Sequence, residues 1–166
     1  KILFSENEIK NRLKTISYKI YEDYKSTNNS LYPVFIGVLN GGFKTFNTII
    51  DYYPNKMEMD FIRAKSYSGK DNSGGVNITK NIELDIKDKY VVVVEDMIDS
   101  GNTMNKILDE LWKKNPADIK IVTLVHRSSS TYPVDYYGFE IGDEWVYGYG
   151  LDDNELDRNV PYIFTK

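Results

Sequence analysis

The chain has 166 residues, 41% of them hydrophobic, and a net charge of −4, which suits one domain with one core and offers no basic stripe for nucleic acid. It holds no cysteine and a single histidine, His126, so disulfides and Cys/His zinc sites are excluded and any proton transfer falls to a carboxylate. No apolar run approaches the roughly 18 residues needed to span a bilayer and no signal peptide opens the chain, so a soluble cytoplasmic protein with no membrane partner is expected.

Ser5 and Glu8 form a capping-box pattern, and Ile9, Leu13, Ile16, Ile20 and Tyr24 fall on one face of the helix that follows. Lys25 to Tyr32 is polar and turn-like, and Pro33 to Leu39 reads as the first central strand. Asn40-Gly41-Gly42 ends that strand and leads into a helical pattern at Phe43, Phe46, Ile49 and Ile50. Paired glycines let backbone N–H groups approach an anion, although the same pair also serves in an ordinary tight turn. Glu58 to Lys65 reads as a strand, and Ser66 to Gly75 as a long polar loop, either a lid or an inert connection. Val76 to Leu84 predicts a further strand, with a turn over Asp85 to Lys89.

The most informative stretch runs from Tyr90 to Lys106. Four consecutive valines, Val91 to Val94, predict a strand buried on both faces, hence a mostly parallel sheet covered by helices. The strand stops at Glu95-Asp96, then Asp99-Ser100-Gly101-Asn102-Thr103 leads into helical spacing at Ile107, Leu108, Leu111 and Trp112. A helix N-terminus presents unpaired N–H groups and a positive dipole to an anion, while carboxylates accept sugar hydroxyls and ligate Mg2+. The order therefore points to a sugar phosphate. The bland alternative is an acidic strand end before a helix capped by Ser100.

The predicted helix from Asn102 ends at Lys114, ahead of Asn115-Pro116, and Ile119 to His126 gives a third apolar strand. Alternating strands and helices imply right-handed crossovers, with ligands at the carboxyl ends of the strands. The lone His126, with no orienting partner, is expected to be structural. From Val134 onward the chain reads as aromatic and irregular, and Asn159 to Ile163 as a short closing strand.

The run Val91 to Thr103 resembles the phosphoribosyl pyrophosphate (PRPP) motif of type I phosphoribosyltransferases, and more narrowly that of the hypoxanthine-guanine enzymes. Gly37-Val38-Leu39-Asn40-Gly41-Gly42, Asp60 to Tyr67 and Gly138 to Asp152 match in the same order. The resemblance implies an α/β, type I phosphoribosyltransferase fold over residues 1–166: a central mostly parallel sheet flanked by helices over about 1–130, and a small C-terminal hood mainly over 131–166, with the N-terminal residues as a candidate addition. It implies a cytoplasmic purine-salvage transferase, a pentosyl-group glycosyltransferase. Such an enzyme moves 5-phosphoribose from PRPP to N9 of a 6-oxopurine (hypoxanthine, guanine or xanthine), with Mg2+ as cofactor and a homodimer or homotetramer as assembly.

By the same resemblance, Asp99 exchanges the proton at purine N7, and Ser100, Gly101, Asn102 and Thr103 hold the 5′-phosphate. Glu95 and Asp96 hold the ribose hydroxyls and, with Asp152, magnesium. Asn40, Gly41, Gly42, Lys65 and Arg158 fall at the pyrophosphate, and Ser66 and Tyr67 begin the lid. Arg127, Trp145 and Val146 fall at the base. Two positions depart from the family's common pattern: Asn40 stands where many relatives carry lysine, and Arg127 where a lysine usually meets the 6-oxo group. A PRPP-sensing regulator on the same scaffold, or a transferase of altered base specificity, are the other readings; the first calls for a basic face that the −4 charge does not supply.

Overall fold

The structure, a computed structural model, describes residues 1–69 and 72–166, with the backbone alone for 67–69 and 72–74. The capping box forms as read: Ser5 Oγ accepts from Glu8 N at 3.2 Å and Glu8 Oε1 from Ser5 N at 3.1 Å. It opens helix α1 (Glu6–Ser26), which buries Ile9, Leu13, Ile16, Ile20 and Tyr24. Strand β2 (Val34–Leu39) and helix α2 (Phe43–Tyr52) follow. Next come strands β3 (Glu58–Gly69), β4 (Asn72–Lys80) and β5 (Tyr90–Glu95), helix α3 (Asn102–Trp112), and strands β6 (Asp118–Arg127) and β7 (Tyr136–Ile141). A second sheet pairs β1 (Ile2–Phe4) antiparallel with β8 (Ile163–Phe164).

The main sheet has the order β4-β3-β2-β5-β6-β7, parallel throughout except for β4. The valine run explains why helices cover both faces. Val92 and Val94 pack with Ile9, Leu13 and Phe46 of α1 and α2, whereas Val91 and Val93 pack with Met104, Ile107 and Leu111 of α3. Burying each such side chain contributes on the order of 1.5–3 kcal/mol, so a strand with no polar face is stable only between two layers. This places the ends of β2, β5 and β6 on one edge, where Asn40-Gly41-Gly42, Glu95-Asp96 and Arg127 stand.

Several expectations are corrected. The polar stretch 66–75 is not a loop over its described length: Ser66 pairs with Val76, and β3 and β4 run on to Gly69 and Asn72. Backbone pairing needs no apolar face, so polar composition concealed the ribbon. Residues 70 and 71 lie outside the described residues. β4 ends at Lys80 rather than Leu84, and α3 ends at Trp112 rather than Lys114. The region after Val134, read as irregular, contains β7, whose Tyr136–Ile141 pairs with β6. Its aromatic residues have one side half-exposed, so no continuous apolar run marked it. β1 is too short to carry a periodic signal and is held by its partner β8.

Candidate active site

Backbone bonds fix the acidic pair at the end of β5. Asp96 O accepts from Leu124 N at 3.0 Å and Val125 N at 3.1 Å. Glu95 Oε1 accepts from Asp96 N at 2.8 Å, and Asp96 Oδ1 from Met97 N at 2.5 Å. Burial first, and then the charge of Asp96, pushes the Glu95 carboxyl well above the usual carboxylate range. Burial also raises Asp96, against the opposing pull of its hydrogen bonds and of Arg158.

The glycine loop lies directly against this pair. A Cβ on Gly41 would stand 2.2 Å from Asp96 Oδ2, and one on Gly42 would stand 2.7 Å from Val38 O and Val94 O. Only glycine lets α2 begin in the notch between β2 and β5. Asn40, joined to Leu39 by a cis peptide bond, is exposed.

Gly150, at φ +100°, closes over the loop from the hood side, and its missing Cβ would lie 2.1 Å from Gly41 O. Arg158 holds that segment: Nη1 donates to Gly150 O at 2.7 Å, and Nη2 donates to Glu155 Oε1 at 2.9 Å and stands 3.4 Å from Asp152 Oδ2. Arg158 Nε is buried without a partner among the described residues. The charge of Asp152 bears on Asp96, and that of Arg158 on both Glu95 and Asp96, so the three carboxylates and the guanidinium form one electrostatic cluster.

That donor set fits magnesium. Mg2+ keeps several waters and takes one or two carboxylates with substrate phosphates, rather than a closed protein cage. Among the described residues no three histidines or acidic groups converge into such a cage, and the adjacent carboxylates Glu95 and Asp96 match the one or two that an open site uses.

On the other side of Asp99 is the anion loop. Gly101, not Ser100, caps α3; its φ is +88° and no side chain occupies the cap. Ser100 Oγ accepts from Asn102 N at 3.4 Å, and the first turn carries no acidic residue. The helix N-terminus is therefore open to an anion. A cleft of about 180 Å³ is lined by Glu95, Met97, Asp99, Ser100, Gly101 and Thr103, which joins the carboxylates to the phosphate loop.

Asp99 is 74% exposed and its Oδ1 lies 4.0 Å from Arg127 Nε. Arg127 Nη1 donates to Gly142 O at 2.7 Å and Glu144 O at 2.9 Å, which ties the end of β6 to the segment carrying Trp145. Trp145 is 73% exposed and Val146 is buried. Lys65 and Ser66 are exposed on β3, paired through the backbone with Asn77 and Val76, away from any ionic contact with the acid pair; the Tyr67 side chain lies outside the described residues. His126 stacks on Tyr137 at 5.0 Å, as a structural residue would. Gly150 and Tyr132, whose ring covers Gly101, do not stand out as site residues in the sequence. Both act through contacts distant in sequence, and the Gly148-Tyr149-Gly150 pattern, with both glycines at positive φ, is the local signal.

A family model described as a phosphoribosyl transferase domain matches residues 2–154. The chain is 37% identical to the hypoxanthine phosphoribosyltransferase of Escherichia coli (strain K12) over 98% of its own length and 92% of the relative's. It is 32% identical to the hypoxanthine-guanine-xanthine phosphoribosyltransferase of Tritrichomonas foetus over 98% and 89%. A solved hypoxanthine-guanine phosphoribosyltransferase from Bacillus anthracis superposes with a TM-score of 0.89 at 33% identity, covering 100% of this chain and 98% of that one. With the open helix N-terminus, the acid pair and the glycine loop on one sheet edge, these likenesses identify the chain as an enzyme of the phosphoribosyltransferase family, in its hypoxanthine-guanine branch.

Proposed function

We propose that this chain carries out purine salvage by Mg2+-dependent transfer of 5-phosphoribose from PRPP to N9 of a 6-oxopurine, hypoxanthine or guanine foremost, with pyrophosphate leaving. The observation that carries the reading is the pairing of an uncapped α3 N-terminus with Glu95, the first residue of the acidic pair, across one small cleft. N–H groups from Asp99 to Thr103, with the hydroxyls of Ser100 and Thr103, bind the 5′-phosphate. Glu95 and Asp96 orient the ribose hydroxyls, partly through one magnesium, and Asp152 holds a second. When bound, the metal neutralises charge on the pyrophosphate.

The bond from C1 of ribose to pyrophosphate breaks as the bond to N9 forms, through a cation-like sugar whose developing charges the site must match. Gly41 and Gly42 give backbone N–H groups to the leaving oxygens, and Asn40, Lys65 and Arg158 lie on the pyrophosphate side. Asp99 takes the proton at purine N7. Trp145 stacks on the base, Val146 reads its edge through the backbone, and Arg127 donates toward the 6-oxo oxygen. The ribbon beginning at Ser66 and Tyr67 acts as the lid.

The domain organisation proposed is a single unit with a hood; because β7 pairs with β6 in the six-stranded core sheet, the hood begins near Gly142 rather than at 131, and the β1–β8 sheet belongs with it. The part-exposed apolar side chains of Phe43 and Met59, on a cleft that Lys10, Lys44, Asn47 and Asp51 also line, are the surface on which a homodimer or homotetramer is proposed. No described helix is long and apolar enough to cross a membrane. Arg127, already engaged by two hood carbonyls, favours a second reading in which the order of base preference differs from that of lysine-bearing relatives. Pyrophosphate release from PRPP, followed with hypoxanthine and guanine before and after chelation, tests the assignment: release that depends on the base and stops without Mg2+ supports it, and base-independent release refutes it.

A further inference from the structure

Resting on that reading of the phosphate loop, we propose that Tyr132 is a positioning residue for the 5′-phosphate of the sugar substrate. The α3 N-terminus poses a physical problem. A Ser, Asp or Thr cap would stiffen it but would occupy the N–H groups that an anion needs. Gly101 has no side chain to take them, and Asn102 N meets Ser100 Oγ only at a long 3.4 Å, yet glycine visits many conformations at little cost. Some other group must hold the loop.

Tyr132 supplies that constraint from outside the helix. Gly101 sits at φ +88°, and a Cβ there would lie 2.4 Å from Cδ2 and Cε2 of the Tyr132 ring, so the ring rests on the glycine where no other residue fits. The Tyr132 hydroxyl donates to Asn105 Oδ1 at 2.8 Å. Asn105 N in turn donates to Gly101 O at 2.8 Å, closing the first turn. One side chain thus grips both ends of that first helical hydrogen bond.

Tyr132 is itself anchored. Its N–H donates to Ser130 Oγ at 3.2 Å, and Ser130 N donates to Arg127 O at 2.9 Å. The short connection from Arg127 to Tyr132 therefore ties the phosphate loop to the residue that also bonds the hood carbonyls.

The test measures ribose 5-phosphate binding by calorimetry, with KM for PRPP and for the base, in Tyr132→Phe, Tyr132→Ala, Asn105→Ala and the Tyr132→Phe/Asn105→Ala double variant. Tyr132→Phe and Asn105→Ala each weaken ribose 5-phosphate about threefold to tenfold, and the double variant no more than either, because both remove the same hydrogen bond. Tyr132→Ala weakens it further and raises KM for PRPP, while KM for the base stays within about twofold, a split that general destabilisation does not produce. Tyr132→Phe carries the test if the alanine variant fails to fold. Variants that bind ribose 5-phosphate as the wild type does would overturn the positioning role, whereas a wild type that binds neither ribose 5-phosphate nor PRPP would overturn the functional reading beneath it.

Discussion

Gly150 and Gly41 meet backbone to backbone: a Cβ on Gly150 would lie 2.1 Å from Gly41 O, with Gly150 at φ +100°. The hood and the glycine loop therefore share a contact that excludes every side chain at position 150. Gly150→Ala combines left-handed strain with a backbone clash, so it should cost about 2–4 kcal/mol and lower the melting temperature by roughly 5–15 °C. A calorimetric scan checks this, and loss of PRPP affinity should accompany it because Gly41 must move.

Asp99→Asn separates chemistry from stability. The side chain is 74% exposed and makes one ionic contact among the described residues, at 4.0 Å, so the fold should be unaffected within about 0.5 kcal/mol. Turnover at saturating substrates should fall about 10²-fold through loss of the proton acceptor. A kcat within about threefold of wild type would remove Asp99 from that role.

Arg158→Lys tests whether shape or charge matters on the pyrophosphate side. The guanidinium reaches Gly150 O, Glu155 and Asp152 together, and a single ammonium cannot span all three. KM for PRPP should rise about tenfold, with a loss of stability of about 1–2 kcal/mol from the unpartnered Gly150 carbonyl. Steady-state kinetics with PRPP varied at saturating base measures the first effect.

Asp60 gives a stability signal that pH can read. Burial works to raise its pKa, but hydrogen bonds from Leu84 N, Glu83 N and Phe61 N, with the charge of Lys80, win and hold it below the usual carboxylate value. A depressed folded-state pKa contributes stability above the unfolded value of about 3.9, and that contribution is lost as pH falls through the folded value. Asp60→Asn should therefore cost about 1–2 kcal/mol near pH 7, and the gap from wild type should shrink below about pH 4. Denaturant titrations at both pH values measure the difference.

Much of the architecture is legible in local sequence because local physics determines it. The Ser5–Glu8 box and the α1 stripe follow from helix geometry, and Val91 to Val94 could be buried only between two layers of helix. β7 escaped because Tyr136–Ile141 lies half-exposed at the sheet edge and owes its strand to pairing with β6. The ribbon of β3 and β4 escaped because its ladder is made by backbone groups that composition does not report.

The candidate site divides in the same way. Glu95, Asp96, Asp99 and Ser100 are contiguous, so their chemistry is visible in one line of sequence. Asp152 and Arg158 reach the acid pair only through the fold, and apart from the family resemblance nothing in their local sequence joins them to it. Tyr132 and Gly150 work through single tertiary contacts with Gly101 and Gly41, which no spacing rule anticipates.

The most direct measurement follows ultraviolet absorbance with PRPP, Mg2+ and, separately, hypoxanthine, guanine, xanthine and adenine. The proposed function predicts PRPP-dependent conversion of one or more 6-oxopurines to the nucleoside monophosphate, with adenine unchanged. Conversion of adenine, or none of any 6-oxopurine by a protein that still binds PRPP, would contradict it.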